Sequence, residues 1–296
     1  MTGGASGIGF EAARALAEHG ADVIIADRNE QAGKAAPDRI RQTAPNAKVE
    51  YRMLDLSSLK AVKEFGAAFV AEGKPLDVLI NNAGIQPISE RRVSADGFEL
   101  TFAIGHLGHF TLTALLFPLL KATPGARIVT VSSLVHAQGK FDWNDLQMER
   151  GYSSQRPYNQ TKLANLLFAR ELHKKLNAAG IKIKSIAVHP GVAQTSIGAN
   201  RKQLGKFGFG DHVVSAILSL VFPYLGQPAA AGALPTMYAA ASPDAEGGRF
   251  YGPTGFGEMK GPPGPAQIKA PGRDVKAAEK LWAVTEELTG VKFDVA

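Results

Sequence analysis

Five apolar runs alternate with helical segments along the first two thirds of the chain, and each run ends in polar residues or glycine. The runs are DVIIAD (22–27), KVEYRMLD (48–55), PLDVLINNAG (75–84), ARIVTVSS (126–133) and IKIKSIAVHPG (181–191). One segment before the first run, at about 8–20, and four between the runs, at about 29–43, 57–72, 96–121 and 157–179, carry apolar residues at helical spacing. Strands that alternate with helices of ten or more residues predict an α/β fold, with a doubly wound parallel sheet covered on both faces. Near-continuous apolarity in the runs agrees, because such strands are buried on both sides. Ligands of these sheets bind beyond the carboxyl ends of the strands. Asp27, Asp55, Asn81 to Gly84, Ser132, Ser133 and His189 to Gly191 all fall there.

Regularity fades after residue 191. Helices are expected near 211–222, 228–242 and 274–289, and a Gly/Pro-rich segment occupies 252–272. No repeat or linker divides the 296 residues. One domain is expected, with 1–195 as the cofactor-binding and catalytic core and 196–296 as a substrate lid and C-terminal helices. The apolar stretch 213–226 is shorter than the ~20 residues that span a bilayer. It reads as a buried helix or a lid over an apolar pocket rather than a membrane contact. The formal charge of +6 is spread among acidic residues, which argues against a nucleic-acid partner. Cysteine is absent and no basic-then-apolar leader is visible, so a reducing, cytoplasmic compartment is expected.

The stretch TGGASGIG places Gly3, Gly7 and Gly9 in a G-x3-G-x-G pattern that opens a helix. Glycines let the backbone approach a pyrophosphate, and free helix N–H groups favour the negative charge. Asp27 closes the next strand, where its carboxylate can accept from ribose hydroxyls and repel a 2′-phosphate, favouring NAD. Its neighbour Arg28 can bind that phosphate instead, so NADP stays open. Asp55 either accepts from the adenine amino group or caps a helix beside Ser57.

Tyr158 and Lys162 are four apart and share a helix face. An ammonium beside a phenol favours the phenolate and suits proton exchange with an alcohol or ketone. Ser133, at a strand end, can hold the same substrate oxygen.

Together TGGASGIG, NNAG (81–84), VSS (131–133), YNQTK (158–162) and HPG (189–191) resemble the short-chain dehydrogenase/reductase family. The segments 96–113, 140–147 and 158–172 resemble its branch of retinol dehydrogenases and protochlorophyllide reductases. The resemblance implies a Rossmann-type sheet and an NAD(P)-dependent interconversion of an alcohol with its aldehyde or ketone. It implies that Tyr158 moves the proton, Lys162 lowers its pKa and holds the nicotinamide ribose, and Ser133 orients the substrate oxygen. Gly3, Ser6, Gly7, Ile8, Gly9, Asp27, Arg28, Asp55 and Leu56 would hold the adenosine and pyrophosphate. Asn81, Ala83 and Gly84 would line the cofactor, with Asn81 also bracing the sheet, and Pro190, Gly191, Val192 and Thr195 would hold the nicotinamide amide. Dimers and tetramers are usual in the family, while this branch also contains monomers.

Two positions depart from the family pattern. Gly105 stands where an asparagine kinks the helix and anchors a water of the proton relay. A surviving kink and a slower rate are expected. Met1 stands where a valine normally ends the first strand, which sets the expectation that this strand is missing and that the start codon is an internal GTG. A chain truly beginning there is expected to fold weakly and bind cofactor poorly.

Other readings are weaker. His106 and His109 lack a third metal ligand, so no metal is expected. No G-x-S-x-G turn supports a hydrolase, and the sequon at Asn159 reads as chance. Trp143, Phe207, Phe209 and Phe222 individually read as core, though collectively they favour a lipophilic substrate. A protein that binds the dinucleotide to sense or scaffold, without turnover, is the alternative.

Overall fold

The computed structural model describes residues 1–194 and 227–295. In chain order the elements are α1 (Gly7–Glu18), β1 (Val23–Asp27), α2 (Glu30–Arg41), β2 (Val49–Met53), α3 (Leu59–Ala71) and β3 (Val78–Asn81). Then come α4 (Leu100–Ala122), β4 (Arg127–Val131), α5 (Gln155–Ala178), β5 (Lys184–Val188) and β6 (Ala193–Gln194). The chain ends with β7 (Gln227–Pro228), α6 (Ala229–Ala241), β8 (Phe250–Pro253), β9 (Pro263–Pro265) and α7 (Val275–Thr289). All five expected strands and the helices expected within the described residues are present. The expected helix at 211–222, Phe207, Phe209 and Phe222 lie outside them.

Local chemistry sets the ends of these elements. Asn29, Ser58 and Asp274 each accept a backbone N–H from the first turn of α2, α3 and α7. Gly290, with φ 64°, closes α7 in the left-handed region that favours glycine. The helix expected from 96 begins at Leu100, because Ser94 turns the chain by accepting the Asp96 and Phe98 N–H groups.

Strand β1 pairs with β2, and β3, β4, β5 and β8 form a parallel ladder with β9 antiparallel at its edge. No five-residue strand stands between β1 and β3 among the described residues. The segment Met1–Gly3 joins them instead. Ala26 N donates to Met1 O, Gly3 N to Ala26 O and Thr2 N to Ile80 O. Strand order reverses at this point, which is where doubly wound sheets bind ligands.

Helices α1 and α6 cover one face of the ladder, and α3, α4, α5 and α7 cover the other. Helix α4 is apolar and long enough to cross a bilayer by composition, yet 78% of its most apolar window is buried in the protein core. Its residues Ala103–Leu107 form a π turn, centred on Gly105, the position of the expected kink.

Strand β8 was not expected. Its sequence FYGP contains the Gly and Pro that signal a loop, but parallel pairing with Ala187 and Val188 of β5 draws it into the sheet.

Candidate active site

The glycine loop runs from Thr2 into α1. Ser6 precedes the helix without capping it through its side chain, and the first turn holds no acid. The orphan N–H groups of that turn are therefore left to a ligand. At Gly9 a Cβ would collide with Gly3 O and come 2.6 Å from Asn82 Nδ2. The cradle is thus closed to any larger residue. Asn82 fastens it from the other side, donating to Thr2 O at 2.9 Å and Gly3 O at 3.1 Å.

Asp27, at the end of β1, accepts from Ala5 N at 3.2 Å and from Asn29 N at 2.9 Å. Its carboxylate shapes the loop as well as the cleft. Asp55 accepts from both the N–H and the hydroxyl of Ser57. The cap of α3 is Ser58, so Asp55 makes a turn beside the helix and still borders the cleft.

Residues Ser133, Tyr158 and Lys162 meet at the opposite end. Ser132, the residue after β4, fixes α5 by donating to Lys162 O at 2.6 Å. Val131 O accepts from Lys162 Nζ at 3.1 Å and from Asn165 Nδ2 at 3.0 Å. These bonds lock one face of α5 against the strand and set where Tyr158 projects. Lys162 Nζ lies 5.7 Å from the centre of the Tyr158 ring.

Burial governs both titrations. It lowers Lys162 to about 8, with no carboxylate paired to it among the described residues. It raises the Tyr158 phenol, and the nearby Ser133 and Gln86 side chains pull it part of the way back. This direction is opposite to the one expected from Lys162 alone, because a desolvated site disfavours both charged forms.

A cleft of about 470 Å³ unites these groups, within the roughly 300–1,000 Å³ usual for small-molecule sites. Of the residues singled out from sequence, Gly3, Ser6, Gly7, Ile8, Gly9, Asp27, Arg28, Asp55, Leu56, Ala83, Gly84, Ser133, Tyr158, Lys162, Pro190 and Gly191 line it. Asn81 and Val192 do not. Asn81 is fully buried and donates to Thr113 Oγ1 of α4 at 2.9 Å, while Asn82, one residue on, reaches the cleft. Strand alternation puts the two asparagines on opposite sides. Thr195 lies outside the described residues. Trp143 stacks on Phe141 and borders a separate surface hollow.

The histidines of α4 are structural. His106 is buried against Phe102 and Phe168 and bonded to Thr285 Oγ1, and burial pushes it to about 3. His109 spans Gly105 O at 3.0 Å and Thr2 Oγ1 at 2.8 Å, and burial pushes it to about 4. Because Gly105 O only accepts, Nδ1 of His109 carries the proton and Nε2 accepts from Thr2. Thr2 Oγ1 in turn accepts from Asn82 N and Ala83 N, each at 3.0 Å. No group of three or more His, Cys, Asp or Glu side chains suited to a metal occurs among the described residues.

Sequence reasoning missed Gln86 and Asn165, named Asn82 only as part of the strand-end run 81–84, and considered His109 only as a metal ligand. Gln86 follows the NNAG strand end, and its placement there was the one signal that pointed to it.

The family model described as short chain dehydrogenase matches residues 1–204. Retinol dehydrogenase 12 of Mus musculus is 38% identical, over 99% of this chain and 86% of the relative. The short-chain dehydrogenase TIC 32 B, chloroplastic, of Brassica napus is 39% identical over 85% of this chain and 78% of its own length. A solved structure from Mycobacterium paratuberculosis is 37% identical, covers 99% of this chain and 93% of that one, and superimposes with a TM-score of 0.78. With its glycine cradle, strand-end acids and buried lysine fitting a nicotinamide dinucleotide, the chain belongs to the short-chain dehydrogenase/reductase family, in its retinol dehydrogenase-like branch, and is an oxidoreductase acting on CH–OH groups of small molecules.

Proposed function

We propose that the protein interconverts a lipophilic alcohol and its aldehyde or ketone, with Ser133, Tyr158 and Lys162 as its catalytic residues and NAD as the preferred cofactor. The observation that carries this reading is convergence. One cleft holds the glycine cradle and Asp27 at one end and the three side chains at the other. The retinol dehydrogenase names of its relatives support a retinoid-like substrate.

Gly3, Ser6, Gly7, Ile8 and Gly9 would hold the pyrophosphate, Asp27 and Arg28 the adenosine ribose, Asp55 and Leu56 the adenine, and Pro190 and Gly191 the nicotinamide end. When bound, the dinucleotide supplies the ring that accepts or gives a hydride at the substrate carbon. Burial keeps the proton on Tyr158, the state needed to protonate a carbonyl oxygen during reduction. In oxidation Tyr158 must first give up its own proton, and the phenolate then takes the hydroxyl proton. Ser133 holds the same oxygen, and Lys162, fixed by Val131 O, faces the site as a cation below its lowered pKa. Asp27 disfavours a 2′-phosphate by charge, which supports NAD, although exposed Arg28 sits beside it.

Turnover of NAD and NADP with a panel of long-chain and retinoid alcohols and aldehydes tests the reading. Activity with such substrates, lost in Tyr158→Phe by about 10³-fold or more, is expected. Tight dinucleotide binding with no turnover across the panel would replace the enzyme reading by a sensor or scaffold.

A further inference from the structure

We propose that Glu258 is a positioning residue for the Pro190–Gly191 wall of the cleft, acting through the ring of His189. The inference rests on the reading of that cleft as the dinucleotide site.

His189 is fully buried just beyond β5. Its Nδ1 accepts the Gly191 N–H at 3.2 Å, so the ring proton sits on Nε2. Nε2 donates to Glu258 Oε2 at 3.2 Å. Burial and His136 push His189 to about 3, which leaves the ring neutral. The contact is a hydrogen bond from a neutral imidazole to a carboxylate, directional rather than a diffuse charge pair. The other carboxylate oxygen accepts from Gln267 N at 2.8 Å. Glu258 thereby ties the strap between β8 and β9 to the chain beyond β9 and to the end of β5.

The strap holds the same wall at further points. Val192 N donates to Met259 O at 2.8 Å. Gly191 has φ 65°, and a Cβ there would collide with Met259 O. Gln227 Nε2 donates to Pro190 O at 2.8 Å, and Gly261 N donates to Gln227 Oε1 at 3.3 Å. Glu258 itself is held at φ 57°, a conformation uncommon for a residue with a side chain. That geometry aims its carboxylate at the ring. Glu258 lies outside the cleft lining and reaches the wall with its side chain through His189. Removing it leaves the buried Nε2–H of His189 without an acceptor.

The test uses the full chain with Glu258→Ala and Glu258→Gln. Hydrogen exchange at the Gly191 and Val192 amides is measured without ligand, and NAD and NADP dissociation constants are measured by titration. In Glu258→Ala these amides are expected to exchange about tenfold faster, and dinucleotide binding to weaken about tenfold, the effect of one lost hydrogen bond to a charged group. The loss should appear in the cofactor KM more than in kcat. Glu258→Gln keeps one oxygen to accept from Nε2 but sets its NH2 group against Gln267 N, so both readouts should recover to values between wild type and Glu258→Ala. A merely structural residue would lower the thermal midpoint and leave the dissociation constant of the folded protein unchanged. Exchange within twofold of wild type in Glu258→Ala, or an unchanged dissociation constant, overturns the proposal. If the wild type binds neither dinucleotide, the cleft reading fails, while the exchange measurement still decides whether Glu258 positions the wall.

Discussion

Gly105 sits in the π turn of α4 against the helix that carries Tyr158 and Lys162. A Cβ at this position would lie 2.5 Å from Thr161 Cγ2, and the next atom it would meet, Thr161 Cβ, is 3.8 Å away. Carbon atoms pack best at about 3.5–4.0 Å, so one methyl group accounts for the whole clash. Replacing glycine by alanine inside a helix contributes up to about 1 kcal/mol. Overpacking a tight core costs about 1–3 kcal/mol. Gly105→Ala should therefore destabilise the protein by about 0–2 kcal/mol. In a Thr161→Ser background the methyl is gone, and the same change should be neutral or stabilising. Denaturant midpoints of the four proteins give the coupling, expected at about 1–3 kcal/mol, the overpacking cost itself. A coupling below about 0.5 kcal/mol, or stabilisation by Gly105→Ala alone, would refute the argument. The same contact bears on catalysis. An asparagine at 105 has no room while Thr161 Cγ2 fills that space. Gly105→Asn should lower kcat by displacing α5 between Tyr158 and Lys162, rather than restore a relay.

The buried ammonium of Lys162 makes stability depend on pH. Its pKa falls from 10.5 to about 8 on folding, so between those values the unfolded chain binds more protons and stability rises with pH. At about 1.36 kcal/mol per pK unit, the rise totals on the order of 3 kcal/mol. Lys162→Met should remove this slope from thermal midpoints taken between about pH 8 and 9.5, and an unchanged slope would exonerate the lysine. Asp27→Asn removes the charge and leaves one oxygen, which can accept from Ala5 N or from Asn29 N but not from both. The ratio of NADP to NAD affinity should rise about tenfold, measured by titration.

The order of elements and most of the cleft were legible because both follow local rules. Apolar runs mark strands buried on two faces, and the ligand end of such a sheet is fixed by strand direction. What escaped notice depends on contacts across the chain. Asn81 and Asn82 are adjacent in sequence, and only the pleat of β3 decides that the first points at Thr113 and the second at the glycine loop. The sequence FYGP carries loop signals, yet β5 recruits it as a strand. The phenol of Tyr158 illustrates the same limit in electrostatics. Spacing from Lys162 argues for a lowered pKa, while the depth of the cleft, invisible in the sequence, dominates in the other direction.

The chain of bonds from Gly105 O through His109 and Thr2 to the Asn82 and Ala83 amides has one further consequence. A flip of the ring breaks contacts at both of its nitrogens and leaves the Thr2 hydroxyl with Ile80 O, 3.4 Å away, as its acceptor. The two loops that border the cleft from opposite sides are thereby geared together. Turning the imidazole removes the closer acceptor of the Thr2 hydroxyl and loosens the anchor that Asn82 and Ala83 share with the glycine loop. In a residue-resolved exchange experiment, the Thr2 amide of the glycine loop should respond to His109→Phe together with the Asn82 and Ala83 amides, a signature of concerted opening rather than of two loops that breathe independently.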